Sequence, residues 1–526
     1  MRHGSIPVLA LISAFALATG TATAVGVPSG HGPAAPSDAA SAAHRHLALV
    51  RAAATGGDGP PAARMSATQL AASIDATWGE GLPTARKLEI FDGFWTAVDQ
   101  RFAAFQGIEH VDWPALRDRY RPEVAAGVSR GRFAAIMNHL SMALRESHTV
   151  ALDREVNQNT LPAPGVPLLW HGPWLTNTFG ACTTAQADGS ALIIKVSPSH
   201  PLGLDPGDRV LGFEGRPWTE LYPELLQDEL PIYRAGLWGS SPNAFRDNWI
   251  ASGPMNWYLF DTIDVLKHDT GTVQHLATAP LATGPVSPPC SEQVDLPGIA
   301  KPQLGNNNTV TWGILPGTSI GYVYVWGWFG DAATKFTQAI EELTQQRQTD
   351  GLILDFRFNL GGNMFFSDAG MAMLFDGPKA TVGFDVRKYP HDHFAMKPGF
   401  ESGPSWYIVD NNADPRSYNK PIAVLTGPGA VSSGDQVALR AALHPNARVF
   451  GRTTAAAFNA AEGAGLDAGW LSAVAVWEAY RVGAPNNYLT HDEFAVDEPV
   501  SLTPDDVAAG RDTVVDAAVD WISTGN

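Results

Sequence analysis

The 526-residue sequence contains only two cysteines, Cys182 and Cys290, and fewer basic than acidic residues. Two cysteines cannot form a four-cysteine zinc site. The excess of acid gives a formal net charge of −18 at pH 7, and no cluster of Lys and Arg is present that could neutralise phosphates. The sequence also has no HExxH, P-loop or GxGxxG motif in a context in which the motif could function. We therefore expect no cofactor, no metal and no nucleic-acid partner.

The sequence also lacks an apolar run long enough to span a bilayer. A basic start precedes an apolar stretch at 6–18 and an Ala-Thr-Ala cleavage site at 22–24. This stretch is shorter than the roughly 20 residues that a membrane helix requires. We therefore predict a signal peptide over residues 1–24, a secreted or periplasmic protein without a membrane span, and a flexible Ala/Gly/Pro-rich segment over residues 25–64.

What the sequence does contain is typical of a packed globular protein. Hydrophobic residues make up 45% and charged residues 17% of the chain. A chain of this length exceeds the size at which one core keeps growing, which favours about three domains. Because the exported compartment is oxidising, we expect Cys182 and Cys290 to form a disulfide bond, with two separate buried thiols as the alternative.

The pattern of apolar residues divides the chain after its first 64 residues into three regions. Apolar residues recur at helical spacing over residues 65–150 and predict an N-terminal helical domain. Short β-like runs with Pro and Gly turns over residues 165–277 resemble a PDZ domain, in which an extended peptide adds to a sheet edge; a generic β domain is the alternative. A Pro-rich linker over residues 278–308 leads to residues 309–526, where alternating strands and helices predict an α/β domain.

Two adjacent serines lie where a strand of the third region meets a helix. The run PIAVLT continues into GPGAVSSGDQVALRAAL, which places Ser432 and Ser433 at the helix start. Ser433 and Gln436 fit a capping box, a common structural device. A serine in this position can also act as a nucleophile, because the N–H groups of the first helical turn can stabilise an oxyanion. The residues allow both roles.

Two further elements could complete a serine-based site. The strand in GLILDFRFNLGGN ends at Gly361 and Gly362, where the backbone can approach a ligand closely and donate an N–H group. An ordinary glycine turn is the alternative. A serine nucleophile needs a base within hydrogen-bond reach, and His148 in its polar stretch is the candidate, with His491 in reserve.

Three separated segments resemble the family of carboxyl-terminal processing (tail-specific) proteases, which includes the tricorn core protease and retinoid-binding repeats. They are ESHT at 146–149, LDFRFNLGG at 354–362 and PIAVLTGPGAVSSGDQVALRAALHPNARVFGRTT at 421–454. The resemblance implies an α/β multidomain protein with a crotonase-like (ClpP/crotonase-type) catalytic core, an N-terminal helical domain and a PDZ-like β domain. It also implies a serine endopeptidase that hydrolyses peptide or protein substrates without a cofactor.

The resemblance also assigns roles to individual residues. Ser432 matches the nucleophile, and Ser433 is the alternative if the register shifts by one residue. Ser433 and Gly361 would donate the two oxyanion N–H groups. One branch of the family uses a catalytic lysine, and its position falls on Ala457 here, so that base is missing.

The tricorn-like branch uses a Ser/His/Ser/Glu tetrad instead. Ser147 and His148 resemble its paired serine and histidine, with His148 as general base. The tetrad carboxylate falls on Asp492, with Glu493 as the neighbouring alternative, in HDEFAVDEPV, a stretch that departs from the family pattern.

Two other functions stay open at this point. The missing lysine and the altered carboxylate segment would suit a non-catalytic peptide-binding pseudoprotease that uses its PDZ-like domain. An α/β-hydrolase esterase fits less well, because the stretch GAVSSG is one residue out of register with a GxSxG elbow.

Overall fold

The computed structural model describes residues 65–525, except for residues 173–175, 234–237, 303–307, 400–405, 410–416, 468 and 485–486. The predicted signal peptide and flexible segment lie outside the described residues. Over the described ranges, no helix has both the length and the apolar character needed to cross a bilayer.

The α-helices of the described residues are α1 (Ala67–Trp78), α2 (Thr84–Arg101), α3 (Trp113–Ala126), α4 (Arg130–Ala143), α5 (Trp218–Gln227), α6 (Pro242–Ala251), α7 (Ala332–Glu341), α8 (Asp368–Ala372), α9 (Ser433–Ala442), α10 (Pro504–Ala508) and α11 (Thr513–Thr524). The strands are β1 (Val150–Asp153), β2 (Leu169–Trp170), β3 (Ala181–Ala185), β4 (Ala191–Val196), β5 (Arg209–Phe213), β6 (Arg216–Pro217), β7 (Ile232–Tyr233), β8 (Thr262–Leu266), β9 (Val273–Ala277), β10 (Val310–Ile314), β11 (Ile320–Val325), β12 (Gly351–Asp355), β13 (Lys379–Tyr389), β14 (Asp392–Pro398), β15 (Trp406–Val409), β16 (Ile422–Thr426), β17 (Ala447–Gly451), β18 (Ala460–Gly463), β19 (Trp470–Arg481) and β20 (Glu498–Pro499).

Helices α1 to α4 form the N-terminal helical region, and side chains cap the starts of α1, α3 and α4. Ser66 forms a capping box with Gln69 at α1, and Asp112 accepts the N–H of Ala115 at α3. The buried faces of α2 and α4 share an apolar core with Trp470 of β19. The helical region is therefore packed onto a strand from the far end of the chain.

A second region carries an antiparallel sheet with the order β3-β4-β5-β8-β9, and β6 pairs with β5. The disulfide bond between Cys182 and Cys290 joins β3 to the segment that precedes the third region. Strand β9 lies at the edge of this sheet and is mostly exposed. The sheet thus offers an edge to which another strand could add.

The third region is built on a sheet with the order β10-β11-β12-β16-β17-β20, in which the strands from β11 onward run parallel. Successive residues of β12 face opposite sides: Leu352 and Leu354 pack with α7 and α9, whereas Ile353 packs with α11. Both faces of the sheet are therefore covered by helices, as expected for parallel strands. The fold is a mixed α/β multidomain fold.

A third sheet has the order β1-β19-β13-β14, with β15 paired to β13 and β18 paired to β19. Strand β1 follows the last N-terminal helix in sequence, and Val150 pairs with Ala473 of β19. This pairing brings the segment around His148 to the C-terminal half of the chain.

Candidate active site

Ser432 lies on a strained turn between β16 and α9. It has φ 63° and ψ −119°, a conformation that residues other than glycine rarely adopt and that recurs at functional sites. The Val431 N–H donates to the Asn359 carbonyl at 2.9 Å, and the Ser432 N–H donates to the Ala457 carbonyl at 3.2 Å. Hydrogen bonds from two directions thus hold a half-buried serine in this conformation.

The neighbouring Ser433 has a different environment. Its side chain is buried, and its hydroxyl donates to the Gly362 carbonyl at 2.8 Å. The capping box predicted for Ser433 and Gln436 is wrong: the N-cap residue is Ser432, and Gln436 Nε2 donates to the Phe458 carbonyl at 2.8 Å. The Ser433 hydroxyl therefore ties the helix start to the glycine turn.

The turn at Gly361 and Gly362 lies directly against the turn at Ser432. Gly361 has φ 78°, and a Cβ added there would lie 2.8 Å from Ser432 Cβ and 2.7 Å from the Val431 carbonyl oxygen. Only glycine fits this position. The Gly361 N–H donates to Asn359 Oδ1 at 3.0 Å, so an oxyanion would compete with that side chain for the N–H group.

His148 is held by a carboxylate two residues earlier in the chain. Its Nδ1 lies 2.9 Å from Glu146 Oε1, while Glu146 Oε2 accepts the His148 N–H at 2.9 Å and the Thr149 hydroxyl at 3.0 Å. Glu146 is completely buried. A carboxylate at Nδ1 fixes the orientation of the imidazole and places its proton on that nitrogen, which leaves Nε2 as the proton acceptor.

The carboxylate suggested by the resemblance lies at the protein surface. Asp492 is exposed, and Glu493 caps the start of α6 by accepting the Asn243 N–H at 2.8 Å. The carboxylate that contacts the His148 ring is Glu146. Sequence analysis missed this role although Glu146 belongs to the ESHT segment, because the tetrad pattern directed the search to the C-terminal part of the chain.

Two other predicted polar residues lie near this pair but make different contacts. Ser147 Oγ is buried, and within the described part of the chain it has no hydrogen-bond partner. His491 Nε2 lies 2.9 Å from the Leu144 carbonyl oxygen, and burial lowers the pKa of this histidine to about 4. His491 thus contacts the loop that leads to His148.

Asp435 lies in the helix that begins after Ser432 and interacts electrostatically with His148. It is buried in the first turn of α9, its Oδ1 accepts the Ala456 N–H at 2.9 Å, and it is electrostatically coupled to His148. Burial raises the pKa of its carboxyl to about 7, while the Thr454 side chain and His148 act to lower it. This coupling places His148 within electrostatic reach of the helix that begins beside Ser432.

The residues brought together suit nucleophilic catalysis by a serine. The site combines a strained serine at a helix start, a histidine oriented by a carboxylate, and glycine N–H groups next to the serine. Among the residues that the structure describes, no group of three or more His, Cys, Asp or Glu side chains could hold a metal ion.

Comparison with known proteins gives family matches to two parts of the chain. Residues 319–485 match the model of peptidase family S41, and residues 83–141 match the model of the tricorn protease C1 domain. No curated protein matches the chain. The S41 match includes both the turn at Ser432 and the turn at Gly361 and Gly362.

Solved structures with a similar fold include two of mature CPAF. One has 12% sequence identity, covers 84% of this chain and 98% of that chain, and has a TM-score of 0.56. Mature CPAF complexed with lactacystin has 12% identity, coverages of 84% and 99%, and a TM-score of 0.55. A putative peptidase from Parabacteroides merdae ATCC 43184 has 15% identity, coverages of 84% and 97%, and a TM-score of 0.46. The predicted resemblance is confirmed by these two family matches, which show that the chain is a serine peptidase.

Proposed function

We propose that the chain is an exported endopeptidase in which Ser432 is the nucleophile and His148 is the general base. The observation that carries this proposal is the conformation of Ser432, a strained residue at a helix start with a glycine turn packed against its Cβ. Ser433 is the weaker candidate because its hydroxyl is buried and donates to the Gly362 carbonyl.

The reaction would proceed through an acyl-enzyme. His148 Nε2 takes the Ser432 hydroxyl proton as Oγ attacks the peptide carbonyl, and the resulting imidazolium gives this proton to the departing amine. Water then hydrolyses the ester, with His148 again as base. The Ser433 N–H at the start of α9 and the Gly361 N–H are the proposed donors to the oxyanion, after the latter leaves Asn359.

Glu146 is the proposed orienting carboxylate. Its hydrogen bond to His148 Nδ1 would keep the productive tautomer and stabilise the imidazolium that forms during attack. Asp492 is exposed and would have no role in the reaction. The constellation is then Ser-His-Glu, without a catalytic lysine and without a contribution from the Ser147 hydroxyl.

The finer assignment of the fold belongs to the same proposal. The parallel sheet around β12 and β16 would be a crotonase-like core, and the β3-to-β9 sheet would be PDZ-like. The exposed edge strand β9 supports a role in holding an extended peptide or protein substrate. Residues 309–526 would then form the catalytic domain, and residues 65–150 the helical domain.

Export to the cell exterior or a periplasm is supported by two features. The leader over residues 1–24 has the order of a signal peptide. The disulfide between Cys182 and Cys290 is stable in an oxidising compartment and rare in a reducing one.

Endopeptidase activity can be tested with a library of internally quenched peptides and the purified protein. We expect cleavage within the peptides by the wild type and no cleavage by Ser432→Ala or His148→Ala. Ser433→Ala is the matched control and should retain activity. If folded wild-type protein cleaves no member of the library but binds peptides, the pseudoprotease alternative is favoured instead.

A further inference from the structure

Arg452 lies half-buried where the β3-to-β9 region meets the third region, with 18% of its side chain exposed. Its Nη2 donates to Thr184 Oγ1 at 2.7 Å and to Glu292 Oε1 at 2.8 Å, and its Nη1 donates to Asp247 Oδ2 at 2.7 Å. Thr184 lies in β3 and Asp247 in α6, whereas Glu292 belongs to the segment that precedes the third region. One guanidinium thus connects three parts of the chain.

The charge of Arg452 is compensated inside the protein. Burial acts to lower the pKa of this guanidinium, but the neighbouring Glu292 and Asp247 carboxylates raise it above its ordinary value. A charge that is largely removed from water needs partners in good geometry, and the planar guanidinium can bond several acceptors at fixed angles. The Arg452 side chain is therefore fixed in position by the groups around it.

The main chain of Arg452 is bonded to the strand that leads to the nucleophile. The Arg452 N–H donates to the Thr426 carbonyl at 3.0 Å, and the Thr426 hydroxyl donates to the Arg452 carbonyl at 2.7 Å. Thr426 is the last residue of β16. Glu292 also touches the next residue, because a Cβ added at Gly427 would lie 2.3 Å from Glu292 Oε2. The network therefore contacts the base of the nucleophile turn.

The residues that follow Arg452 contact the nucleophile turn farther along, at Ala430 and Ser432. The Ala455 N–H donates to the Ala430 carbonyl at 2.9 Å, and the Ala457 carbonyl accepts the Ser432 N–H at 3.2 Å. A displacement of Arg452 would be transmitted along this short segment to the backbone of the nucleophile.

The disulfide bond holds two acceptors of Arg452 close together. Cys182 precedes Thr184 by two residues, and Cys290 precedes Glu292 by two residues. The covalent link therefore keeps these acceptors beside each other although they are distant in sequence.

We propose that Arg452 is a positioning residue through which the β3-to-β9 region fixes the nucleophile turn, so that Ser432 reacts at its full rate only while Thr184 and Glu292 hold the guanidinium. This inference rests on the proposed role of Ser432. It adds to that role a dependence of the catalytic serine on a separate region of the protein.

The test compares variants of Thr184 in the full-length mature protein. Thr184→Val keeps the shape of the side chain and removes the acceptor, whereas Thr184→Ser keeps the hydroxyl. The measurement is the rate of Ser432 labelling by a fluorophosphonate, separated into the maximal rate constant and the half-saturating probe concentration. We expect Thr184→Val to lower the maximal rate constant by about 10- to 100-fold, as an ångström-scale displacement of a reacting group does. Thr184→Ser should label like the wild type.

Two further variants complete the design. Glu292→Gln removes the charge of a second acceptor and should also lower the maximal rate constant. Arg448→Met changes an arginine in β17 that pairs with the partly exposed Glu498, and it should leave the rate unchanged. Circular dichroism and thermal unfolding of each variant measure the folded fraction, to which the rates are normalised.

The outcomes separate this inference from the proposed function. If the folded wild type is not labelled at Ser432, the proposed function fails. If the wild type is labelled and both Thr184→Val and Glu292→Gln react at the wild-type rate, the role of Arg452 is refuted. The role of Arg452 is also refuted if the variants change only the folded fraction or the half-saturating probe concentration. Positioning of the serine should act on the maximal rate constant.

Discussion

Replacement of Asp435 by asparagine should change how the stability of the protein depends on pH. The carboxyl is completely buried in the first turn of α9, where it accepts the Ala456 N–H and faces the Thr454 hydroxyl, the Ser432 backbone and His148. Among these groups, His148 has the only side chain that can carry a charge. Burial outweighs the effect of these groups and raises the pKa of the carboxyl from 3.8 to about 7.

The sign and size of the effect follow from linkage. Between pH 3.8 and about 7 the unfolded chain loses this proton and the folded protein keeps it, so folding stability falls as pH rises across that window. Each pH unit of the window costs about 1.4 kcal/mol, which gives about 4 kcal/mol in total. Below the window both states are protonated and the group has no effect. Asparagine cannot ionise and removes the dependence.

The assay is denaturant unfolding of the wild type and Asp435→Asn at pH 4, 6 and 8. The free energy of unfolding of the variant, relative to the wild type, should rise with pH and approach a gain of about 4 kcal/mol by pH 8. Asp118→Asn, at an exposed position in α3, serves as the control and should give a difference that does not vary with pH. A flat or falling difference for Asp435→Asn would mean that the folded protein holds an ionised Asp435, contrary to the argument.

Three further changes test the assigned roles. Glu146→Gln should lower kcat by about 10³- to 10⁴-fold with little change in KM, because the productive histidine tautomer is lost. Asp492→Asn is the control and should have no effect on steady-state kinetics. Equal losses in the two variants would contradict the assignment of Glu146. Ser433→Ala should lower the free energy of unfolding by about 1 kcal/mol and still allow labelling of Ser432, so loss of the adduct would favour Ser433 as nucleophile. Gly361→Ala should abolish peptide cleavage because the new Cβ would lie 2.8 Å from Ser432 Cβ; retained cleavage would show that the turn can move.

Local patterns predicted the helices and strands better than the way in which the regions join. The apolar spacing around Phe133 and Leu140 indicated a helix, and the run from Gly351 indicated a buried strand; both are present. The pairing of β1 with β19 was not predicted, because pairing between strands more than 300 residues apart leaves no local signal. For the same reason the contacts of Arg452 with Thr184 could not be read from the sequence.

Prediction of the site was limited in a similar way. The short segments around His148, Gly361 and Ser432 could be found because each has a distinctive local sequence. The Glu146 carboxylate was missed, since no spacing rule indicates which of several nearby acids contacts an imidazole. Burial of Asp435, which decides its protonation, likewise depends on packing from distant elements.

The central claim is that the pair of Glu146 and His148 activates Ser432. Its most direct test is to treat the wild type, Glu146→Gln and His148→Ala with a fluorophosphonate and to locate the adduct by peptide mass mapping. The account predicts an adduct on Ser432 in the wild type, much slower labelling in Glu146→Gln and none in His148→Ala. An adduct on another residue, or equal labelling of all three folded proteins, would contradict it.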